Sequence, residues 1–219
     1  MEDYRRYLHP GIKKIPKLIR LGDFCVQIIS IFDYLRIYKI MITKYSDFLF
    51  EGFKISKIVH KIEWEEADKI IQTFLPFRIV DAGSGKSWMM MRTSGKYHAD
   101  VEPITKGDTE KMLSCFLKSD SFEKSTYKPV IVEIGSERYA AALMGFPHAG
   151  SNFTPFKQRT KHLSGGFKNM RNWDYSRNNG VAGHFCLHFL GSIRHTDKKT
   201  DLEAQKALDF FVNNKLVKQ

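Results

Sequence analysis

Apolar positions recur along this chain with two different periods, and the period changes at short polar or glycine-bearing breaks. Trp64, Ala67, Ile70, Ile71 and Phe74 fall at helical spacing, which predicts an amphipathic helix over 64–74, ended by Pro76. Phe77–Val80 and Ser87–Arg92 read as strands around the turn Asp81-Ala82-Gly83-Ser84-Gly85, a first hairpin. Pro129–Ile134 and Arg138–Met144 flank Gly135-Ser136 and make a second, with Ala140, Ala141 and Ala142 small enough for close packing. Between the hairpins, Thr105 as N-cap and Asp108 at N3 fit a capping-box variant. That box opens a helix running to about Leu117, which buries Met112 and Phe116. A closing amphipathic helix is expected over Asp201–Val212, with Leu202, Ala204, Leu208, Phe211 and Val212 turned inward.

The segment 184–190 carries the densest chemistry. Phe185, Leu187 and Phe189 alternate with His184, Cys186 and His188, the period of a strand. One face is therefore apolar, and the other presents a thiol between two imidazoles. Such a face suits nucleophilic sulfur, because an adjacent base raises the thiolate fraction. It is also a plausible set of metal ligands. Ser192 and His195 follow closely. In Tyr97–Pro103, if extended, His98, Asp100 and Glu102 share a face that can bind a divalent metal or orient an imidazole. Gly145-Phe146-Pro147-His148-Ala149-Gly150 presents His148 just past a buried strand.

Ser151–Asn179 is long and poor in apolar residues, which points to a lid or binding loop. Its cations (Lys157, Arg159, Lys161, Lys168, Arg171, Arg177) and its aromatics (Phe153, Phe156, Phe167, Trp173) suit an anionic or sugar-containing polymer. Together the elements predict an α+β fold: a mainly antiparallel sheet built from hairpins with flanking helices, preceded by a helical N-terminal extension. The expected division is an extension over 1–62 and a candidate catalytic domain over 63–219.

The extension has no clean period. Phe24–Phe32 is apolar and follows Lys13, Lys14, Lys17 and Arg20, faintly like an export signal. Asp23 and Asp33 bracket the run, no Ala-x-Ala-like site follows, and Arg36 and Lys39 interrupt any transmembrane span. A degraded export signal, a membrane-surface anchor and a helix packed on the domain all stay open, so membrane association through 1–62 is one expectation.

At 219 residues with 42% apolar content the chain can bury one substantial core. Its net charge of +11 calls for anionic surroundings or an anionic partner. Nucleic acid, an anionic cell wall and a membrane surface are candidates that composition does not separate, and no nucleic-acid-binding motif is recognisable. Cys25, Cys115 and Cys186 give neither a disulfide framework nor a CxxC pair. Gly83-Ser84-Gly85-Lys86-Ser87 imitates part of a phosphate-binding loop. It fails because Val80 stands where the first glycine is required and the following Trp88–Met91 reads as a strand.

The motifs His98-Ala99-Asp100-Val101-Glu102-Pro103, Met144-Gly145-Phe146-Pro147-His148-Ala149-Gly150 and Gly183-His184-Phe185-Cys186-Leu187-His188-Phe189, followed by Ser192 and His195, resemble an uncharacterised secreted bacterial domain. That domain occurs in low-GC Gram-positive bacteria, often beside peptidoglycan-binding modules, and the resemblance spans roughly Trp64–Ala207. It implies an extracellular or cell-wall location and a peptidoglycan partner. A weaker resemblance is to the L,D-transpeptidase catalytic domain. His184-Phe185-Cys186 keeps its His-x-Cys spacing, with Gly183 for Ser, Phe185 for Gly and His188 for Arg, and His148-Ala149-Gly150 stands where an upstream His-Gly pair would.

The leading expectation is a peptidoglycan-modifying enzyme, transpeptidase- or peptidase-like, without a cofactor. Cys186 attacks a peptide carbonyl, His184, His188 or His148 moves the proton, and backbone N–H groups near Gly183 or Gly150 hold the oxyanion. His98, Asp100, Glu102, Ser192 and His195 orient these groups or the substrate. The alternative is a zinc-dependent hydrolase with His98, Asp100, His148 and His188 as ligands and Glu102 as base. A non-catalytic basic wall-binding module is the third, and a nuclease, suggested only by the charge and the His/Asp content, is the fourth.

Overall fold

In the computed structural model, residues 58–116 and 127–216 are described. Residues 1–57 of the expected helical extension over 1–62 and most of the polar loop after residue 116 lie outside them. The described chain runs α1 (Trp64–Ile70), β1 (Pro76–Asp81), β2 (Ser87–Ser94), β3 (Ala99–Pro103), α2 (Lys106–Phe116), β4 (Tyr127–Ile134), β5 (Glu137–Met144), β6 (Arg159–His162), β7 (Lys168–Arg171), β8 (Phe185–His188) and α3 (Leu202–Asn213). No helix among these residues is long and apolar enough to cross a membrane.

Six strands close into an antiparallel barrel in the order β1-β2-β3-β8-β5-β4. The fold is thus α+β with a mainly antiparallel sheet, as the periodicity predicts, and the sheet is closed on itself. Closure follows from β1 pairing with both β2 and β4, Ile79 lying opposite Trp88 on one side and Val132 on the other. Alternation fills the inside: Phe77, Ile79, Trp88, Met90, Ala99, Val101, Val130, Val132, Ala141, Leu143, Phe185 and Leu187 form one buried cluster. Trp64, Ala67 and Ile71 extend this cluster from α1.

The outside is covered in parts. α3 packs on β4 and β5, and its Ala204, Leu208 and Phe211 meet Val59, Ile131, Ala140 and Ala142. The small residues of β5 thus admit a helix at close range, and the packed residues begin at Val59, before the expected boundary. α2 lies on β2 and β3. Its capping box forms as predicted: Thr105 Oγ1 accepts from the Asp108 N–H at 3.1 Å, and Asp108 Oδ2 accepts from the Thr105 N–H at 3.1 Å.

Three expectations change in detail. α1 stops at Ile70, and Phe74 sits beyond it with φ 63° and 44% exposure, its ring tilted against Tyr175. Leu202 and Val212 are 66% and 37% exposed, since the face of α3 centred on Ala204, Leu208 and Phe211 suffices to cover β4 and β5. The stretch 151–179 is not without structure: β6 and β7 pair as a small separate hairpin, Arg159 opposite Arg171.

Candidate functional site

The outer face of β3 and β8 lies outside the area that α3 covers on β4 and β5. Asp100 lies directly opposite Cys186 in the β3–β8 register, while Ala99 and Leu187 point inward. His188 stands opposite Ala142 on β5. A period of two in each strand therefore puts His98, Asp100 and Glu102 beside His184, Cys186 and His188. The loop Gly145–Gly150 adds His148, and the turn after β8 adds His195.

Asp100 is the hub. Its Oδ1 lies 3.4 Å from His98 Nε2, 3.6 Å from His184 Nε2 and 3.5 Å from His195 Nε2. Its Oδ2 accepts a hydrogen bond from Ser94 Oγ at 2.6 Å. Asp100 Oδ1 and His98 Nε2 are both buried and neither has a hydrogen-bond partner. The His98 tautomer follows from its other nitrogen, which lies 2.9 Å from the Ile193 carbonyl. A carbonyl only accepts, so Nδ1 carries the proton and Nε2 of the neutral ring is bare.

The same logic holds at His148. Its Nδ1 donates to the Phe146 carbonyl at 3.1 Å, and its bare Nε2 faces Cys186 Sγ at 3.6 Å. The rings pack closely: His98 stacks on His188 at 4.2 Å, His148 meets His184 edge-on at 4.4 Å, and His98 meets His195 at 4.4 Å. Tyr127 sets its ring against His188 and donates its hydroxyl to Asp201 Oδ2 at 3.0 Å. His195, 42% exposed, and the half-buried His148 form the rim of a cluster otherwise closed to solvent.

The electrostatics favour neutral rings. Burial, reinforced by His184, lowers His148 to about 4. Burial also lowers His184 and His188, against the opposing pull of Asp100. Burial raises the Cys186 thiol well above its ordinary value, and the Asp100 and Asp201 carboxylates add to the rise. At Asp100 burial alone would raise the carboxyl, but the imidazoles of His184, His195 and His98 outweigh it and hold it well below the usual range. With His148, His184 and His188 held toward the neutral form, none of the three offers the thiol an imidazolium to draw out its proton.

Bare nitrogens, a carboxylate and a thiol at these separations are a metal-ligand chemistry. Three groups place their ligand atoms within 4.8 Å of one another: His98, Asp100 and His195; His148, His184 and Cys186; and His98, Cys186 and His188.

The remaining anticipated residues do other work. Glu102 is fully buried on the same strand face, but its carboxylate accepts the backbone N–H groups of Tyr175 and Ser176 at 3.0 and 2.6 Å. It ties down the covering chain; burial raises its carboxyl to about 7 despite those two donors. Ser192 is buried and accepts the Phe189 N–H at 2.9 Å, closing the turn after β8. The Gly150 N–H donates to Ser164 Oγ at 3.0 Å and is not free for an oxyanion. Ser94 and Tyr127 touch the cluster without having been anticipated. Tyr127 finds its partners His188 and Asp201 far along the chain, and Ser94, only six residues before Asp100, meets it through the β2–β3 register; an isolated serine or tyrosine gives no signal of either. Asn172 is another: fully buried, it exchanges hydrogen bonds with Ser151 at 2.8 and 3.0 Å and so joins the two ends of the β6–β7 excursion.

No protein-family model, no curated protein and no solved structure matches the chain.

Proposed function

We propose that the chain is a zinc-dependent hydrolase of the bacterial cell wall, with His98, Asp100 and His195 as its metal ligands. The observation that supports this is the convergence of imidazole nitrogens on one buried carboxylate oxygen at 3.4–3.6 Å. Those separations are longer than good hydrogen bonds and close to the edge of a tetrahedral zinc site, about 3.3–3.6 Å from the usual zinc–ligand bond lengths. An ion there supplies Lewis acidity and acidifies water. The Ile193 carbonyl fixes the His98 ring, Ser94 fixes the Asp100 carboxylate, and the exposed His195 leaves the approach open. Peptidoglycan as substrate rests on the resemblance given above and on the net charge of +11.

A second reading has its own observation. Cys186 Sγ and His148 Nε2 are 3.6 Å apart, the thiol facing a bare imidazole nitrogen as in a nucleophile–base pair. On this reading the chain is a transpeptidase- or peptidase-like cysteine enzyme without a metal.

The test is mass spectrometry of muropeptides after incubation with purified peptidoglycan, alongside metal analysis of the protein. The metal reading expects bound zinc, loss of activity with a chelator, recovery on adding zinc, and a loss of about 100-fold or more in His195→Ala. Chelator-resistant activity abolished by iodoacetamide would move the assignment to Cys186. An unchanged wall under all conditions would sink both enzyme readings and leave a basic wall-binding module.

A further inference from the structure

We infer that the cluster takes two metal ions, one between His98, Asp100 and His195 and a second between His148, His184 and Cys186. The inference rests on the metal reading above and uses three residues that reading leaves idle. The two groups share no residue, and within each the ligand atoms lie within 4.8 Å of one another.

The second group is built as firmly as the first. His148 Nε2 and Cys186 Sγ are 3.6 Å apart, about the nitrogen–sulfur edge of a tetrahedral zinc site. The Phe146 carbonyl holds the His148 ring with Nε2 turned toward the thiol. The main chains of His148 and His184 exchange two hydrogen bonds, 3.0 and 3.1 Å, so a loop ligand is placed by a strand-like ladder. Cys186 follows His184 by two residues on the same strand face. As the metal–sulfur bond forms, the Cys186 thiol releases its proton to water, and the thiolate and the Asp100 carboxylate then offset part of the charge of two dications.

The two positions differ in access. His184 and Cys186 are buried, whereas His195 reaches solvent. The outer ion is therefore the more open to substrate, and the inner ion, with two buried ligands and the half-buried His148, is the more enclosed. Asp100 lies between the groups, 3.6 Å from His184 Nε2, so loading one position bears on the other. The third group, His98, Cys186 and His188, takes one residue from each and competes with the pair.

The test is cobalt(II) titration of the metal-free full chain, read by absorption and by elemental analysis. Two ions per chain are expected in the wild type, and only the inner one produces thiolate-to-cobalt charge transfer. Cys186→Ser and His148→Ala should each bind one ion, Cys186→Ser without the charge-transfer band. His195→Ala should bind one ion and keep the band. His188→Ala should still bind two. The wild-type count needs no variant and stands even where a substitution impairs folding. One ion per chain in the wild type, or a loss of an ion in His188→Ala, overturns the two-ion inference while leaving a metal enzyme. No bound ion overturns the metal reading as well.

Discussion

His148 and His184 are joined through their main chains, each N–H donating to the other's carbonyl at 3.0 and 3.1 Å. This pairing decides where a loop imidazole sits relative to the β8 thiol. It depends on two glycines. A Cβ on Gly150 would fall 2.0 Å from the Gly183 nitrogen, and one on Gly183 would fall 2.2 Å from the His148 carbonyl oxygen.

Gly183→Ala therefore forces the two segments apart, and with φ +100° it also places a side chain where L residues are strained. The expected loss is about 2–4 kcal/mol of stability, read by denaturant unfolding. Metal affinity should weaken as well, and more than in Gly85→Ala, a substitution at a glycine with positive φ and open space around it.

Arg92 makes a second, independent prediction. It is buried at the end of β2, under the C-terminus of α1. Its guanidinium donates to the carbonyls of Ile71, Ser94 and Gly95 at 3.0, 3.0 and 2.6 Å and to Asp68 Oδ1 at 2.5 Å. It also lies 5.1 Å from the Trp64 ring. Arg92→Leu leaves those carbonyls unsatisfied and should cost about 3 kcal/mol in chemical denaturation. Arg92→Lys should recover only part, because an ammonium does not reproduce the planar fork.

These examples also show which parts of the molecule can be read from sequence. The period of two at His98–Glu102 and at His184–His188 assigns faces to both strands. Those faces bring Asp100 and Cys186 side by side. The same period does not say whose polar atoms each side chain will meet. Glu102 shares the Asp100 face yet spends its carboxylate on backbone N–H groups 73 and 74 residues away. Barrel closure was equally hidden, because alternation fixes which side is apolar and not which strands are neighbours. The β6–β7 hairpin is polar on both faces and carries no periodic signal. The length of α3 is legible, but Leu202 and Val212 show that an apolar residue at helical spacing faces in only as far as its partner strands extend.

Asp174 carries the pH prediction. It is fully buried, and burial raises its carboxyl against the opposing effects of the Gly183 N–H and the Arg177 guanidinium. Glu102 is the other carboxylate that feels it. A carboxyl whose pKa is higher in the folded than in the unfolded chain binds its proton more tightly when folded. Its contribution is therefore unfavourable once the pH exceeds the ordinary value of 3.8, and it levels off above the folded value. Asp174→Asn should melt a few degrees higher than the wild type at neutral pH. The difference should shrink as the pH falls toward 3.8. A gain of the same size throughout the acid range would show that packing, not charge, is responsible.

The β6–β7 hairpin concentrates positive charge beside the site. Between Glu137 and Asp174 the chain contains no acidic residue. Lys157, Arg159, Lys161, Lys168 and Arg171 are all exposed, and Arg159 stands directly opposite Arg171 across the two strands. Like charges in that relation weaken a hairpin, and an anionic polymer of the kind proposed above would relieve the repulsion. The hairpin also reaches the cluster, because Phe167, which precedes β7, stacks on His148 at 5.6 Å. Replacing Arg159 and Arg171 together by Ser should leave the melting temperature unchanged or slightly raised. In the same variant, co-sedimentation with peptidoglycan sacculi should weaken, and its dependence on salt should become shallower, because fewer ion pairs remain to be screened. Metal content should stay at the wild-type level. Undiminished sedimentation at low salt would mean that the wall is held elsewhere on the protein, and the hairpin would then lose its role in bringing polymer to the site.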